Sequence, residues 1–92
     1  MALEFEWDEN KATANYQKHG ISFDEAKTVF NDPFSITIAD PEHSLDEDRY
    51  IDIGLSAKGR ILVIVYTERK SKIRIISCRQ ATAREQSTYE QQ

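Results

Sequence analysis

The apolar residues of this chain first follow the period of an α-helix and later the period of a β-strand. The first helical stretch is "WDENKATANYQKHG". Asp8 stands near the N-cap, Lys18 and His19 occupy the last turn, and Gly20 follows where a left-handed cap is common. This pattern predicts a helix that ends at Gly20.

A second helix is predicted in "SFDEAKTVF", which follows directly. Ser22 and Glu25 have the spacing of a capping box, and the apolar residues recur at helical intervals. Asp32 and Pro33 end this segment, since proline does not continue a helix.

After residue 33, apolar and polar residues alternate, which is typical of half-buried strands. Four such runs cover residues 34–40, 49–55, 61–67 and 73–79. Short turns between successive runs indicate an antiparallel meander. The last segment, "ATAREQSTYE", starts with a second capping box and predicts a C-terminal helix. We therefore expect a single α+β domain over residues 1–92, with two N-terminal helices, a four-stranded antiparallel meander sheet and a C-terminal helix.

Pairing of the last two strands decides which side chains share a face. If Tyr66 lies opposite Arg74, one face carries Leu62, Ile64, Ile76 and Cys78. The other face then carries Val63, Val65, Ile75, Ser77 and Arg79. We expect the first face to pack on the leading helices. The second face is left for a partner or for the C-terminal helix.

The N-terminal segment, the short apolar runs and the single cysteine predict a cytoplasmic protein. "MALEFEWDEN" has no basic region followed by an apolar stretch, and the longest apolar run, "ILVIVY", is too short to cross a bilayer. Cys78 is the only cysteine, so an internal disulfide is excluded, and we expect it to be a small buried residue.

Charge is distributed unevenly along the chain. Residues 1–57 carry 4 basic and 13 acidic side chains, whereas residues 58–84 carry 8 basic and 1 acidic. A local basic surface attracts polyanions even when the net charge is −4. The same residues are also compatible with a solvated hairpin that protects a sheet edge.

Two segments resemble the BrnT family of bacterial ribonuclease toxins, which belong to type II toxin–antitoxin systems. These segments are "FEWDENKATANYQKHGISFDEAKTVFNDP" and "YTERKSKIRIISCRQAT", and the similarity runs from Phe5 to Glu90. The chain departs from the family pattern after Arg84 and Glu85, where Gln86 replaces a common arginine.

The resemblance implies a RelE-like toxin fold and RNA cleavage without metal or cofactor. It also implies inhibition of translation, neutralisation by a cognate BrnA-like antitoxin, and binding to promoter DNA only through the toxin–antitoxin complex.

Metal-free RNA cleavage needs a base for the ribose 2′-hydroxyl, an acid for the leaving oxygen, and cations for the developing charge. The residues that can carry protons in this role are His19, His43, Tyr66, Lys18 and Glu25. His19 also suits a purely structural role at a helix C-terminus, which we favour. Tyr66 is a candidate either to stack a base or to donate a proton, and His43 fits a solvated turn.

Arginines and lysines are the candidates for phosphate contacts. The arginines are Arg69, Arg74, Arg79 and Arg84. Arg79 is the strongest, because the matched "IISCR" segment contains it, whereas Arg74 also fits a solvent-facing edge position. Arg84 opposes the helix dipole unless an anion binds there. The lysines with a predicted RNA-binding role are Lys18, Lys58, Lys70 and Lys72.

A non-catalytic module that binds nucleic acid or an antitoxin would use the same basic surface, and the sequence leaves this alternative open. The acidic run Asp46, Glu47 and Asp48 with His43 has no spacing typical of a metal site, so we expect none.

Overall fold

A computed structural model describes residues 3–40 and 48–92 as an α+β fold with three α-helices and a five-stranded sheet. The helices are α1 (Glu9–His19), α2 (Phe23–Thr28) and α3 (Ala83–Glu90), with a 3-10 turn at Val29–Asn31. The strands are β1 (Glu4–Glu6), β2 (Ile36–Asp40), β3 (Arg49–Leu55), β4 (Ile61–Arg69) and β5 (Lys72–Gln80). The α+β class, the three helices and the four predicted strands are confirmed.

The first helix has the predicted ends. The Asp8 side chain accepts hydrogen bonds from the backbone N–H groups of Asn10 and Lys11. Gly20 has a φ of 72°, and its N–H donates to the carbonyl of Tyr16. Only glycine adopts this conformation without strain, so α1 ends there.

Only one of the two predicted capping boxes is complete. In α3, Thr82 and Glu85 bond each other's backbone N–H groups as expected. In α2, Ser22 accepts from the Glu25 N–H, but the Glu25 carboxylate bonds Ser56 and Arg60 instead of returning to Ser22. Glu25 is the buried member of this pair, and its charge-assisted bond to the partly exposed Arg60 outweighs the local bond, so the prediction was half right.

The sheet has one more strand than the sequence predicted. Its order is β1-β5-β4-β3-β2, and β1 runs parallel to β5, with Glu4 opposite Lys72 and Glu6 opposite Arg74. The predicted purely antiparallel meander was therefore wrong at this edge. Three residues are too few to show alternation, so β1 left no pattern to detect.

A β-bulge in β5 changes the predicted register. Val65 lies opposite Ser77 and Tyr66 lies opposite Ile75, which leaves Ile76 without a partner. The predicted pairing of Tyr66 with Arg74 was wrong. An extra residue in one strand reverses the alternation beyond it, so Ile75 joins Cys78 on one face.

Two apolar clusters lie on opposite faces of the sheet. The face beneath α1 and α2, called here the helix face, holds the larger one, which includes Leu62, Ile64, Ile75 and Cys78. The other, called the α3 face, holds Ile53, Val63 and Ala81, with Ile51, Ile61 and Tyr89 packed against them. The C-terminal helix thus covers part of the second face.

Asp32 fastens the end of α3 to the rest of the fold. Its carboxylate accepts hydrogen bonds from the Phe34 and Leu55 N–H groups and from the Tyr89 hydroxyl, the last at 2.5 Å. Gly54 of β3 allows Val29 and Asp32 to pack closely against this strand, because a Cβ there would lie 2.8 Å from Val29 Cγ1 and 3.2 Å from Asp32 Oδ2.

In residues 3–40 and 48–92, no helix is long and apolar enough to cross a membrane.

Candidate nucleic-acid interface

Five cationic side chains of the described strands lie on the α3 face. Thr67 of β4 lies opposite both Arg49 and Arg74, and Arg69 lies opposite Lys72. Residues opposite each other in a ladder share a face, and alternate residues of one strand do so as well. The five cations on this face are Arg49, Arg69, Lys72, Arg74 and Arg79.

The short strand β1 brings a carboxylate to these cations. Glu6 lies opposite Arg74 in the parallel ladder, and the two side chains form an ion pair of 3.1 Å. Both side chains are about one-third exposed, so the pair is reachable from solvent. Phe5, between Glu4 and Glu6, packs against the helix-face cluster, which fixes Glu4 and Glu6 on the α3 side.

A groove lies at this end of the sheet and is lined by Glu6, Arg69, Lys70 and Lys72. The two turn residues, Lys70 and Ser71, have positive φ angles of 49° and 72°. Such angles at both central positions define the type I′ turn that matches the twist of a hairpin. The β4–β5 hairpin therefore brings three cations to this groove, and β1 adds one carboxylate.

Arg79 joins the end of β5 to α3. Its guanidinium makes a bidentate ion pair with Glu85, at 2.7 and 2.9 Å. Glu85 also accepts from the Thr82 N–H at 2.8 Å. The Arg79 guanidinium is the main cause that lowers the pKa of Glu85 to about 2. Arg84, the neighbouring residue of α3, is exposed.

Between these two charged ends, the α3 face has an apolar floor. Ile51 lies opposite Val65 in the β3–β4 ladder, and both are partly exposed. Tyr89 and its bond to Asp32 hold α3 at the other side of this floor. The arrangement suits a chain molecule with regularly spaced negative charges and flat apolar groups.

Tyr66 lies on the other side of the sheet from the five cations. It is 5% exposed, belongs to the helix-face cluster, and donates a hydrogen bond of 2.9 Å to Asp52. Burial and the Asp52 carboxylate raise the pKa of its hydroxyl far above the usual value. Its ring contacts Phe30 and Tyr50, so it is not open to stacking on a base.

His19 and Lys18 are also separate from the basic groove. Lys72 and Cys78 lie six residues apart on β5, about 20 Å along the strand. Asn15 of α1 bonds Cys78, and His19 lies one helical turn beyond Asn15. The structure thus places the end of α1 toward the opposite end of β5 from the groove.

Lys58 occupies the turn before β4, while Lys70 follows β4. Nine residues of β4 separate the two turns by roughly 25–30 Å. The basic residues that are adjacent in sequence therefore form two groups, one at each end of the sheet. His43, Asp46 and Glu47 lie outside the described residues.

Sequence reasoning missed the carboxylates that pair with the arginines. Glu6 and Glu85 were not assigned to the site, although Glu4 and Glu6 flank Phe5 in an alternating "EFE" that signals one acidic edge. Asp52, buried behind Tyr66, was also missed, and burial raises its pKa. Within the described residues, no group of three or more metal-ligating side chains is arranged to hold a metal ion.

Comparison with known proteins identifies the family. Residues 7–85 match the family described as "Ribonuclease toxin, BrnT, of type II toxin-antitoxin system". The chain therefore belongs to the BrnT family of ribonuclease toxins. The resemblance inferred from the sequence is confirmed.

A solved structure has the same fold. The 1.1 Å crystal structure of the Brucella abortus ribonuclease toxin BrnT aligns with a TM-score of 0.66, covering 88% of this chain and 99% of that one. The two sequences are 24% identical, so this likeness supports the fold alone. The search of curated proteins gave no match. The RelE-like fold name remains a prediction.

Proposed function

We propose that this chain is a metal-independent endoribonuclease, the toxin of a type II toxin–antitoxin pair, which inhibits translation by cutting RNA. The observation that supports this most directly is the groove lined by Glu6, Arg69, Lys70 and Lys72, in a chain of a ribonuclease toxin family. RNA phosphates are drawn to such a cluster of cations.

The chemistry we assign to the groove is attack of the ribose 2′-hydroxyl on the adjacent phosphate. Among the described residues that line the groove, Glu6 is the only carboxylate, and it accepts the 2′-hydroxyl proton in this scheme. Arg74, which is ion-paired with Glu6, and Arg69 stabilise the charge that develops on the phosphate oxygens. Lys72 donates a proton to the leaving 5′-oxygen.

Arg79 and Arg84 have a different role in this proposal. Five residues along β5 separate Arg74 from Arg79 by about 15 Å, so the two do not contact one phosphate. Arg79 is also already bonded to Glu85 by both ends of its guanidinium. We assign Arg79 and Arg84 to neighbouring phosphates of the bound strand, with the Ile51 and Val65 floor beneath the bases.

The family implies two macromolecular partners, an RNA target and a protein antitoxin. We propose that the antitoxin is BrnA-like, that the toxin works in the bacterial cytoplasm, and that promoter DNA is bound only through the toxin–antitoxin complex.

Incubation of purified protein with single-stranded RNA in excess chelator tests the activity. We expect cleavage with 2′,3′-cyclic phosphate ends, and loss of cleavage in Glu6→Gln. RNA binding without any cleavage, in chelator and in magnesium alike, would instead support a non-catalytic binding module.

A further inference from the structure

The two edges of the sheet differ in how they are protected. β1 has three residues, of which Glu4 and Glu6 carry charge. Charged side chains on a short strand are a common protection against pairing with another chain. β2, at the opposite edge, has five residues of sequence "ITIAD" and contains neither lysine nor proline.

The β2 edge is apolar over residues 36–39, and Asp40 is its one charged residue. No charged residue occurs in residues 33–39. Three large apolar side chains near this edge are exposed: Phe34 by 66%, Ile38 by 47% and Leu55 by 43%. The ladder between β2 and β3 is regular from Ile36 to Asp40, so the strand is straight enough to accept another.

In the sheet formed by the described residues, β2 is the last strand, and β3 is its neighbour on the inner side. A regular strand at the edge of a sheet is a template for a further strand, because it presents a row of outward N–H and C=O groups. The neighbouring apolar side chains give such a strand a surface to bury.

We propose that the antitoxin adds a β-strand to the outer edge of β2. This inference rests on the proposed function, since it concerns the partner of that toxin. The added strand carries β-branched or other apolar residues at alternate positions beside Ile36 and Ile38, and no charge there. It continues into an acidic segment at the Asp40 end, where Arg49 lies opposite Asp40 and the α3-face cations begin.

The area available favours the antitoxin over a second copy of this chain. A stable interface buries about 800 Å² on each partner. Two five-residue strands paired edge to edge supply much less. An antitoxin that adds one strand and then crosses the Arg49, Arg69 and Arg74 surface reaches the required area and also blocks the groove.

Hydrogen exchange of the wild-type toxin, alone and bound to the antitoxin from the same gene pair, tests the placement. We expect residues 34–40 to gain protection, and residues 9–19 of α1, on the helix face, to remain unchanged. Protection confined to α1 and α2, or unchanged exchange over residues 34–40, would overturn the proposal.

The substitution Ile38→Lys in the edge strand β2 gives a second test. Ile38→Lys should weaken antitoxin binding by at least about tenfold, because a charge on an edge strand opposes strand addition. RNA cleavage by Ile38→Lys alone should equal that of the wild type. Tyr16→Lys is the matched control, since Tyr16 is 58% exposed on α1 and the charge change is the same.

The outcomes separate this inference from the proposed function. Wild-type toxin that binds the antitoxin but does not cleave RNA refutes the nuclease and leaves the docking test intact. Equal antitoxin affinity for Ile38→Lys and Tyr16→Lys refutes docking at β2. A concentration-dependent toxin dimer that Ile38→Lys abolishes assigns the edge to a second copy, and also refutes the proposal.

Discussion

Arg74 and Arg79 lie on the same face of β5 although five residues separate them. In a regular strand an odd separation places side chains on opposite faces. The bulge at Ile76 adds one residue between Ser77 and Ile75, and so restores both arginines to the α3 face. Bulges often re-aim side chains beside functional sites, and here one extends the cationic surface along the whole strand.

Arg74→Ala should lower the rate of RNA cleavage by about a hundred- to a thousandfold, as expected when one donor to a developing oxyanion is removed. The loss of its ion pair with Glu6 should cost under about 1 kcal/mol of unfolding free energy, because both side chains are partly solvated. Single-turnover cleavage and urea unfolding measure the two effects separately.

Arg79→Ala is the comparison variant. Sequence analysis alone favoured Arg79 as the transition-state residue, whereas the groove places Arg74 beside Glu6. We expect Arg79→Ala to raise KM more than it lowers kcat. A fall in kcat larger than that of Arg74→Ala, with the fold intact, would return the catalytic role to Arg79.

Lys70→Asn tests electrostatic binding without disturbing the turn. Lys70 has a φ of 49°, and asparagine tolerates this left-handed conformation better than lysine. Stability should be unchanged or slightly higher. The slope of log affinity against log salt for single-stranded RNA should fall by about 0.7, the value for one phosphate contact. An unchanged slope would remove Lys70 from the interface, and Lys11→Asn, on α1, is the control.

Local signals predicted most of the fold. The helix ends are set by cap residues, namely Asp8, Gly20 and Thr82, which bond backbone groups within one turn of themselves. These residues were therefore sufficient to predict where α1 and α3 begin or end. The register of β4 and β5 depends on one inserted residue, and β1 depends on a contact between residues 4–6 and 72–74. Neither feature leaves a periodic pattern in the sequence.

The sequence predicted the cations of the candidate site, but not the carboxylates that pair with them. Basic residues cluster between residues 58 and 84 in the sequence, but the carboxylates that hold Arg74 and Arg79 come from β1 and α3. Tyr66 was predicted to stack a base or to donate a proton. It instead lies on the helix face of β4 with Leu62 and Ile64, where its hydroxyl donates to Asp52.

His19→Gln should have little effect on cleavage. His19 is the last residue of α1 and lies away from the groove, so its contribution is to the helix end. We expect less than about 1 kcal/mol of lost stability. A cleavage rate reduced more than about a hundredfold in a folded variant would show that the groove is not the whole active site.

Glu25→Gln should destabilise the fold without changing the chemistry. The Glu25 carboxylate has a side chain that is 2% exposed, and it accepts hydrogen bonds from Ser56 at 2.7 Å and from Arg60 Nε at 3.0 Å. Replacement weakens a buried, charge-assisted network and should cost about 1–3 kcal/mol of unfolding free energy at pH 7. The cleavage rate per folded molecule should be unchanged, since Glu25 belongs to the helix layer.

The stabilising effect of Glu25 should decrease at low pH. Hydrogen bonding from Arg60 lowers the pKa of Glu25 in the folded state, so its stabilising effect is complete above the unfolded value of 4.5 and is lost as the pH falls through the lower folded value. The stability difference between wild type and Glu25→Gln should therefore shrink below about pH 4.5. Asp24→Asn is the control, because Asp24 is 78% exposed in a surface pair with Lys27 and should change stability by under about 0.5 kcal/mol. A difference between wild type and Glu25→Gln that is constant from pH 7 to pH 3 would show that the carboxylate charge does not contribute.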